Sequence, residues 1–148
     1  MQGIPFDSRT EARHALTALP GMKSILIADG NASVAEMFAY VFARHDWNAT
    51  RYSDGKHAGE ELRGNTHYDA ALVSYRFDGI DGVELIGLIR ALDHRKDMPI
   101  VMVTGTVDLD VVAAALAAGA DDVLYKPTDV AVLVATVSKC LERGRHHP

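Results

Sequence analysis

With one cysteine, Cys140, the 148-residue chain can close no internal disulfide and cannot assemble a thiolate metal cluster. Long apolar runs are missing as well: the longest uncharged one, residues 111–120, falls far short of the roughly 20 residues that cross a bilayer. The N-terminus carries neither the basic nor the apolar segment of a signal peptide. No membrane partner is therefore expected, and the cytoplasm is the expected compartment. Lys and Arg form no block and the net charge is −5, whereas neutralising phosphates takes clustered cations, so nucleic acid is not expected as a partner. The closing RGRHHP is basic but short, and residues 145–148 read as a solvated tail. The seven histidines fall at no ligand spacing and read as surface residues, so neither a metal nor another cofactor is expected. What is present is apolar material: 48% hydrophobic residues at this length suffice for one domain with one core.

From Met22 onward, short β-rich segments alternate with longer segments of helical period, five times over. Strands are expected at 24–28, 49–52, 68–74, 98–104 and 122–125, and helices at 32–45, 56–63, 83–94, 108–118 and 129–143. The third and fourth strands are almost continuously apolar, as parallel strands covered on both faces are. The alternation predicts an α/β fold, a doubly wound parallel sheet spanning residues 22–144. Gly119 is placed to end the fourth helix, Asp129 to cap the fifth and Asp81 to cap the third. Residues 1–21 lie outside the repeat as an N-terminal extension. There Ser8 and Glu11 spell a capping box, and Ala12, Ala15, Leu16 and Leu19 mark one face of a short helix that Pro20 and Gly21 stop. Three roles are open to that stripe: docking on the domain, pairing with a partner, or none.

In an open α/β sheet, ligands and chemistry gather at the carboxyl ends of the strands, near the point where strand order reverses. The first strand runs ILIADGN and delivers Asp29 and Gly30 to this rim. The third, opening the stretch ALVSYRFDGIDGVEL, delivers Ser74; the fourth, VMVTG, brings Thr104 and Gly105; the fifth, LYKP, brings Lys126 and Pro127. One carboxylate, two hydroxyls and one ammonium are expected to converge, with Asp29 pairing with Lys126 while Ser74 and Thr104 fill the remaining hydrogen bonds. A small, nearly neutral polar pocket is the expected result.

The order and spacing of ILIADGN, FDGIDGVELI, VTG and GADDVLYKP resemble the receiver domain of two-component response regulators, the CheY-like family, across residues 23–143. The resemblance implies a flavodoxin-like fold with strand order 2-1-3-4-5. It also implies that an acidic pair ending the first strand binds Mg²⁺ and that an Asp ending the third accepts a phosphoryl group from a histidine kinase. A Thr or Ser and a Lys contact that group, and an aromatic three positions ahead of the Lys turns inward on switching. Asp29, Thr104, Gly105, Lys126 and Pro127 match this pattern, and the Lys126–Pro127 bond is, by the same resemblance, cis. Elsewhere the chain departs. Gly30 stands where the second acid is expected, Ser74 where the phospho-acceptor is, Val123 where the switch aromatic is, and Asp78 where the loop has Pro.

Mg²⁺ dehydrates reluctantly and is held through carboxylates and phosphate oxygens, so a rim with a single carboxylate binds it poorly. A serine hydroxyl is a weak nucleophile without an activating base, and no histidine falls at a strand end beside Ser74. The expected function is therefore that of a degenerate, stand-alone receiver domain, not an enzyme. It would act by phosphorylation-independent protein contact in bacterial signal transduction, with no output domain after Arg143. Two other readings use the same residues. One is a phosphorelay protein with an unusual acceptor such as Asp78; the other is a Ser–Lys hydrolase built on Ser74 and Lys126, against which Asp29 favours the charged ammonium. The partner surface is expected on the last two helices. DVVAAALAAGA and DVAVLVATVSKCL are apolar nearly all round, with Val111, Val112, Ala114, Val132, Ala135 and Thr136 on the faces that should meet water. The resemblance places dimerisation and partner binding on this face, implying a signalling-protein partner and a homodimer through the fourth and fifth helices.

Overall fold

A computed structural model of the chain describes residues 21–126 and 128–144. The N-terminal helix expected before Gly21, the isomer of the bond to Pro127 and the tail at 145–148 lie outside the described residues.

Strands β1 (Lys23–Ala28), β2 (Trp47–Tyr52), β3 (Ala70–Ser74), β4 (Ile100–Thr104) and β5 (Asp122–Tyr125) alternate with helices α1 (Ala32–Ala43), α2 (Gly55–Arg63), α3 (Gly82–Ala91), α4 (Leu109–Ala118) and α5 (Val130–Arg143). The strands form one parallel sheet in the order β2-β1-β3-β4-β5, the flavodoxin-like arrangement. The two-residue side-chain period of β1 splits its apolar residues between the faces. Ile25 and Ile27 join Phe38 and Phe42 of α1 and Leu133 and Val137 of α5, whereas Leu26 and Ala28 join Leu62, Leu85, Ile86 and Ile89 of α2 and α3. β3 and β4, in the middle, are buried along their whole length. Each fully buried Ile, Leu or Phe contributes about 1.5–3 kcal/mol relative to staying exposed, so both helix layers are held on by the same few strands.

Each of the five described helices begins on an Asn or Asp. Asn31 accepts from the Ser33 and Val34 amides at 2.9 and 3.2 Å, and Asp54, Asp81, Asp108 and Asp129 cap the later helices. Asp81 and Glu84 complete a reciprocal capping box at 2.8 and 3.0 Å. At Asp54, partial burial opposes ionisation, but the His57 amide and ring and the Lys56 amide hold its carboxyl below the usual carboxylate range. Since each helix follows a strand, these caps bring the positive helix ends to the carboxyl edge of the sheet. At the other end Gly119, with φ of 122°, closes α4 as expected.

The expected boundaries shift by two or three residues in five places, one of them the start of β4, at Ile100 instead of 98. α1 stops at Ala43 instead of residue 45, because Asp46 turns into the left-handed region at φ 67° and swings the chain back. β2 consequently starts at Trp47, two residues early, in register with Lys23, and Trp47 packs edge-on to Phe42 at 5.5 Å. β3 starts at Ala70 instead of 68: the Tyr68 hydroxyl is taken by Glu61 at 2.5 Å and the Asp69 carboxylate by the Ser24 amide at 2.8 Å. Burial first, then Glu61, raises the Tyr68 hydroxyl well above its ordinary range and keeps it a donor. α3 ends at Ala91, three residues before the expected end, where Leu92 turns extended.

Cys140 lies on the inner face of α5, 4% exposed, and burial pushes its thiol up against the opposing influence of Arg143. Since the thiolate is the reactive form, native protein is expected to resist iodoacetamide at neutral pH and to react stoichiometrically once denaturant is added. Intact mass before and after unfolding reads this directly; alkylation of the native protein at the rate of a free thiol would show that α5 is not seated on the sheet.

Candidate functional site

The carboxyl edge of the sheet is organised around one side chain. Asp29 directly follows β1 and is 2% exposed. Its amide donates to the Tyr52 carbonyl at 3.0 Å, which ties it to the end of β2, and its Oδ1 accepts the Asn31 amide at 2.9 Å. Oδ2 accepts both the Ser74 hydroxyl and the Lys126 ammonium, the latter at 2.8 Å. Ser74, 4% exposed, arrives from β3 next door, whereas Lys126 reaches across from the end of β5, 97 positions along the chain. Lys126 is itself fixed by its amide, which donates to the Thr104 carbonyl at 2.8 Å. Asp29, Ser74, Thr104 and Lys126 are thus brought together as expected. The expectation for the Thr104 side chain is corrected: its Oγ1 accepts the Thr106 amide at 3.1 Å and so shapes the loop after β4 instead of bonding Asp29.

The expectation of a small pocket is also corrected. The cavity over these strand ends measures about 760 Å³, and the loop from Tyr75 to Asp78 forms one wall of it, with Gly30 against that loop and Gly105 following β4. Asp78 sits exposed on that wall. Val123 lies in β5 opposite Met102 and packs, half-buried, against the core, so an aliphatic side chain fills the inward position. The aromatic of this strand is Tyr125, 41% exposed beside Thr104.

The chemistry this arrangement supports is limited. A divalent cation needs several hard oxygen donors, and among the described residues the one carboxylate directly at a strand end, Asp29, already holds an ammonium. Ser74 is neutral and Gly30 offers no side chain, so the residues present do not fit Mg²⁺. Among the described residues no group of three His, Cys, Asp or Glu is placed to hold a metal ion. Proton abstraction from Ser74 is equally ill served: the carboxylate oxygen it faces is shared with a cation, and Lys126 is held as an ion pair.

Of the surface residues read from the sequence, Ala114, Val132 and Ala135 are exposed, while Val111, Val112 and Thr136 are half-buried. The same face carries four side chains that helical periodicity missed: Val107 and Leu109, each 76% exposed, Leu116 at 49% and Tyr125. Val107 and Leu109 flank the Asp108 cap and read as a helix start. No helix among the described residues is long and apolar enough to cross a membrane.

Comparison with known proteins accounts for this geometry. The profile described as response regulator receiver domain matches residues 25–138. The chain is 32% identical over 124 residues to the DNA-binding response regulator MtrA of Mycobacterium tuberculosis (strain CDC 1551 / Oshkosh), covering 84% of this chain and 53% of that protein. It is 33% identical over 122 residues to the transcriptional regulatory protein CseB of Streptomyces avermitilis, covering 82% and 50%. The chain therefore spans about half the length of these relatives. A crystal structure of a CheY-like receiver domain protein from Methanospirillum hungatei JF-1 superposes with a TM-score of 0.77 at 23% identity, over 83% of this chain and 96% of that one, and shares the fold. These relatives overturn the expectation that nucleic acid has no part: MtrA is a DNA-binding protein. The net charge of −5 describes only a stretch that matches half of such a protein, so it does not report on the whole. Fold, strand-end arrangement and relatives agree, and the chain belongs to the family of response regulator receiver domains.

Proposed function

We propose that this receiver domain signals without being phosphorylated, as a pseudo-receiver whose fixed shape is read by another protein. The observation that carries the reading is the single Asp29 carboxylate saturated by Ser74 and Lys126, at the position where the resemblance calls for a metal and a phospho-acceptor. Ser74 stands in the acceptor's place, Gly30 removes a metal ligand and Val123 removes the switch aromatic. Without differential affinity for a ligand, nothing biases the domain between two shapes. The face made by α4, β5 and α5, with Val107, Leu109, Leu116, Tyr125 and Val132 exposed, serves as the protein-contact surface, and the reading assigns no catalytic activity. MtrA's DNA binding and CseB's transcriptional role suit a domain that steers a transcription-regulating protein by contact.

The test is incubation with Mg²⁺ and acetyl phosphate followed by intact mass. The expected spectrum shows only the unmodified chain. A stable phosphoryl adduct, on Asp78 or elsewhere, would overturn the reading in favour of a phosphorelay protein with an unusual acceptor.

A further inference from the structure

The loop between β3 and α3, residues 75–81, rests on three positions that have no Cβ. A Cβ on Gly30 would lie 2.5 Å from the Arg76 carbonyl oxygen and 3.5 Å from the Phe77 Cα. A Cβ on Gly55 would lie 2.6 Å from Cγ1 of Ile80, and one on Gly82 would run into the Ser74 carbonyl oxygen. Real Cβ atoms do not approach other atoms so closely, so the loop occupies space that any other residue at these positions would fill. Gly30 precedes the α1 cap, Gly55 opens α2 and Gly82 opens α3, so the contacts come from separate elements. The loop is also closed on itself, since the Gly82 amide donates to the Tyr75 carbonyl at 2.7 Å. Tyr75, Phe77 and Ile80 pack against the core from above.

We propose that this loop is a strap locked against the wall of the strand-end pocket, and that the absence of a side chain at residue 30 is what lets it seat there. The backbone of Arg76 has moved into room that the β-carbon of an acidic residue at 30 would need. The lost carboxylate is therefore replaced by main chain, and the loop keeps one conformation whether or not anything enters the cavity. The proposal deepens the phosphorylation-independent reading and rests on it for the meaning of the locked shape. The two fail separately, because that reading fails on a phosphoryl adduct and this one on loop exchange.

Native-state hydrogen exchange read by mass spectrometry on peptides covering 75–81 tests it. Gly30→Ala is compared with Gly105→Ala, whose Cβ would meet nothing within 4 Å. No positive φ burdens Gly30, so the effect of Ala there comes from the Arg76 contact and not from the backbone angle. Exchange of the loop is expected to rise about tenfold in Gly30→Ala and to stay at the wild-type rate in Gly105→Ala. Wild-type exchange in Gly30→Ala would overturn the proposal. If that variant does not fold, Ile80→Ala releases the strap from Gly55 while leaving Gly30 intact; faster loop exchange supports the lock and unchanged exchange overturns it.

Discussion

Lys126→Met is expected to lower the unfolding free energy by about 3 kcal/mol, read as a fall in the urea midpoint at unchanged slope. The substitution keeps the length of the side chain and removes its charge. Asp29, 2% exposed, is then left with the Ser74 hydroxyl and the Asn31 amide as partners and no cation. Breaking a buried pair at one end costs more than the pair contributes, because the surviving charge stays desolvated. The value is set toward the low end of such losses, since the Lys126 side chain is 29% exposed and water can reach that side of the carboxylate. A second substitution separates this cause from simple loss of packing: Asp29→Asn in the Lys126→Met background removes the stranded charge and should recover most of the stability. If the double variant is as unstable as the single one, the loss lies in packing at the end of β5 and not in the ion pair.

Arg90→Ala is expected to cost a similar amount, about 3 kcal/mol, at the opposite edge of the sheet. Its guanidinium donates to the Gly119 carbonyl at 3.0 and 2.8 Å, to Met98 at 2.6 Å and to Lys96 at 3.0 Å, and it pairs with Asp121 at 3.0 Å. Asp121 in turn accepts the Ile100 amide at 2.8 Å. One side chain on α3 therefore fastens the start of β4 to the turn between α4 and β5. Truncation leaves partly buried carbonyls without a donor, and each such group costs on the order of 1–3 kcal/mol. Arg90→Lys should recover little, because a single ammonium cannot span a planar fork of acceptors. Thermal unfolding of the three proteins decides it; a Lys variant as stable as wild type would mean that charge, and not the fork, holds the turn.

The alternation of apolar runs was enough to place five strands and five helices and, with the resemblance, their order, because a two-sided parallel sheet leaves a strong periodic trace. Boundaries slipped where a single residue redirected the chain, as Asp46 does after α1, or where a side chain replaced a ladder bond, as Asp69 does before β3. At the site, residue types at strand ends were sufficient to name Asp29, Ser74, Thr104 and Lys126. What Thr104 bonds to, and where the Tyr75–Asp78 wall lies, depend on loop backbone that carries no periodicity. The exposed pair Val107 and Leu109 was illegible for a related reason, since an apolar residue beside a helix cap looks the same whether it turns inward or out. The nucleic-acid expectation is overturned by a relative, MtrA, that is a DNA-binding response regulator, a property that the charge of this chain does not report.

The strand order leaves β2 and β5 as the two open margins of the sheet. β5 is only four residues long and opens with the exposed Asp122, whose carboxylate folds back onto the Val123 amide at 2.8 Å. β2 is longer, but half-buried Asn48 and Arg51 interrupt its apolar residues. Neither margin offers a long, flat, uncharged template on which a further chain can continue the hydrogen-bond ladder. Polymerisation by strand addition is thereby disfavoured, and fibril growth from the folded state has no ready seed.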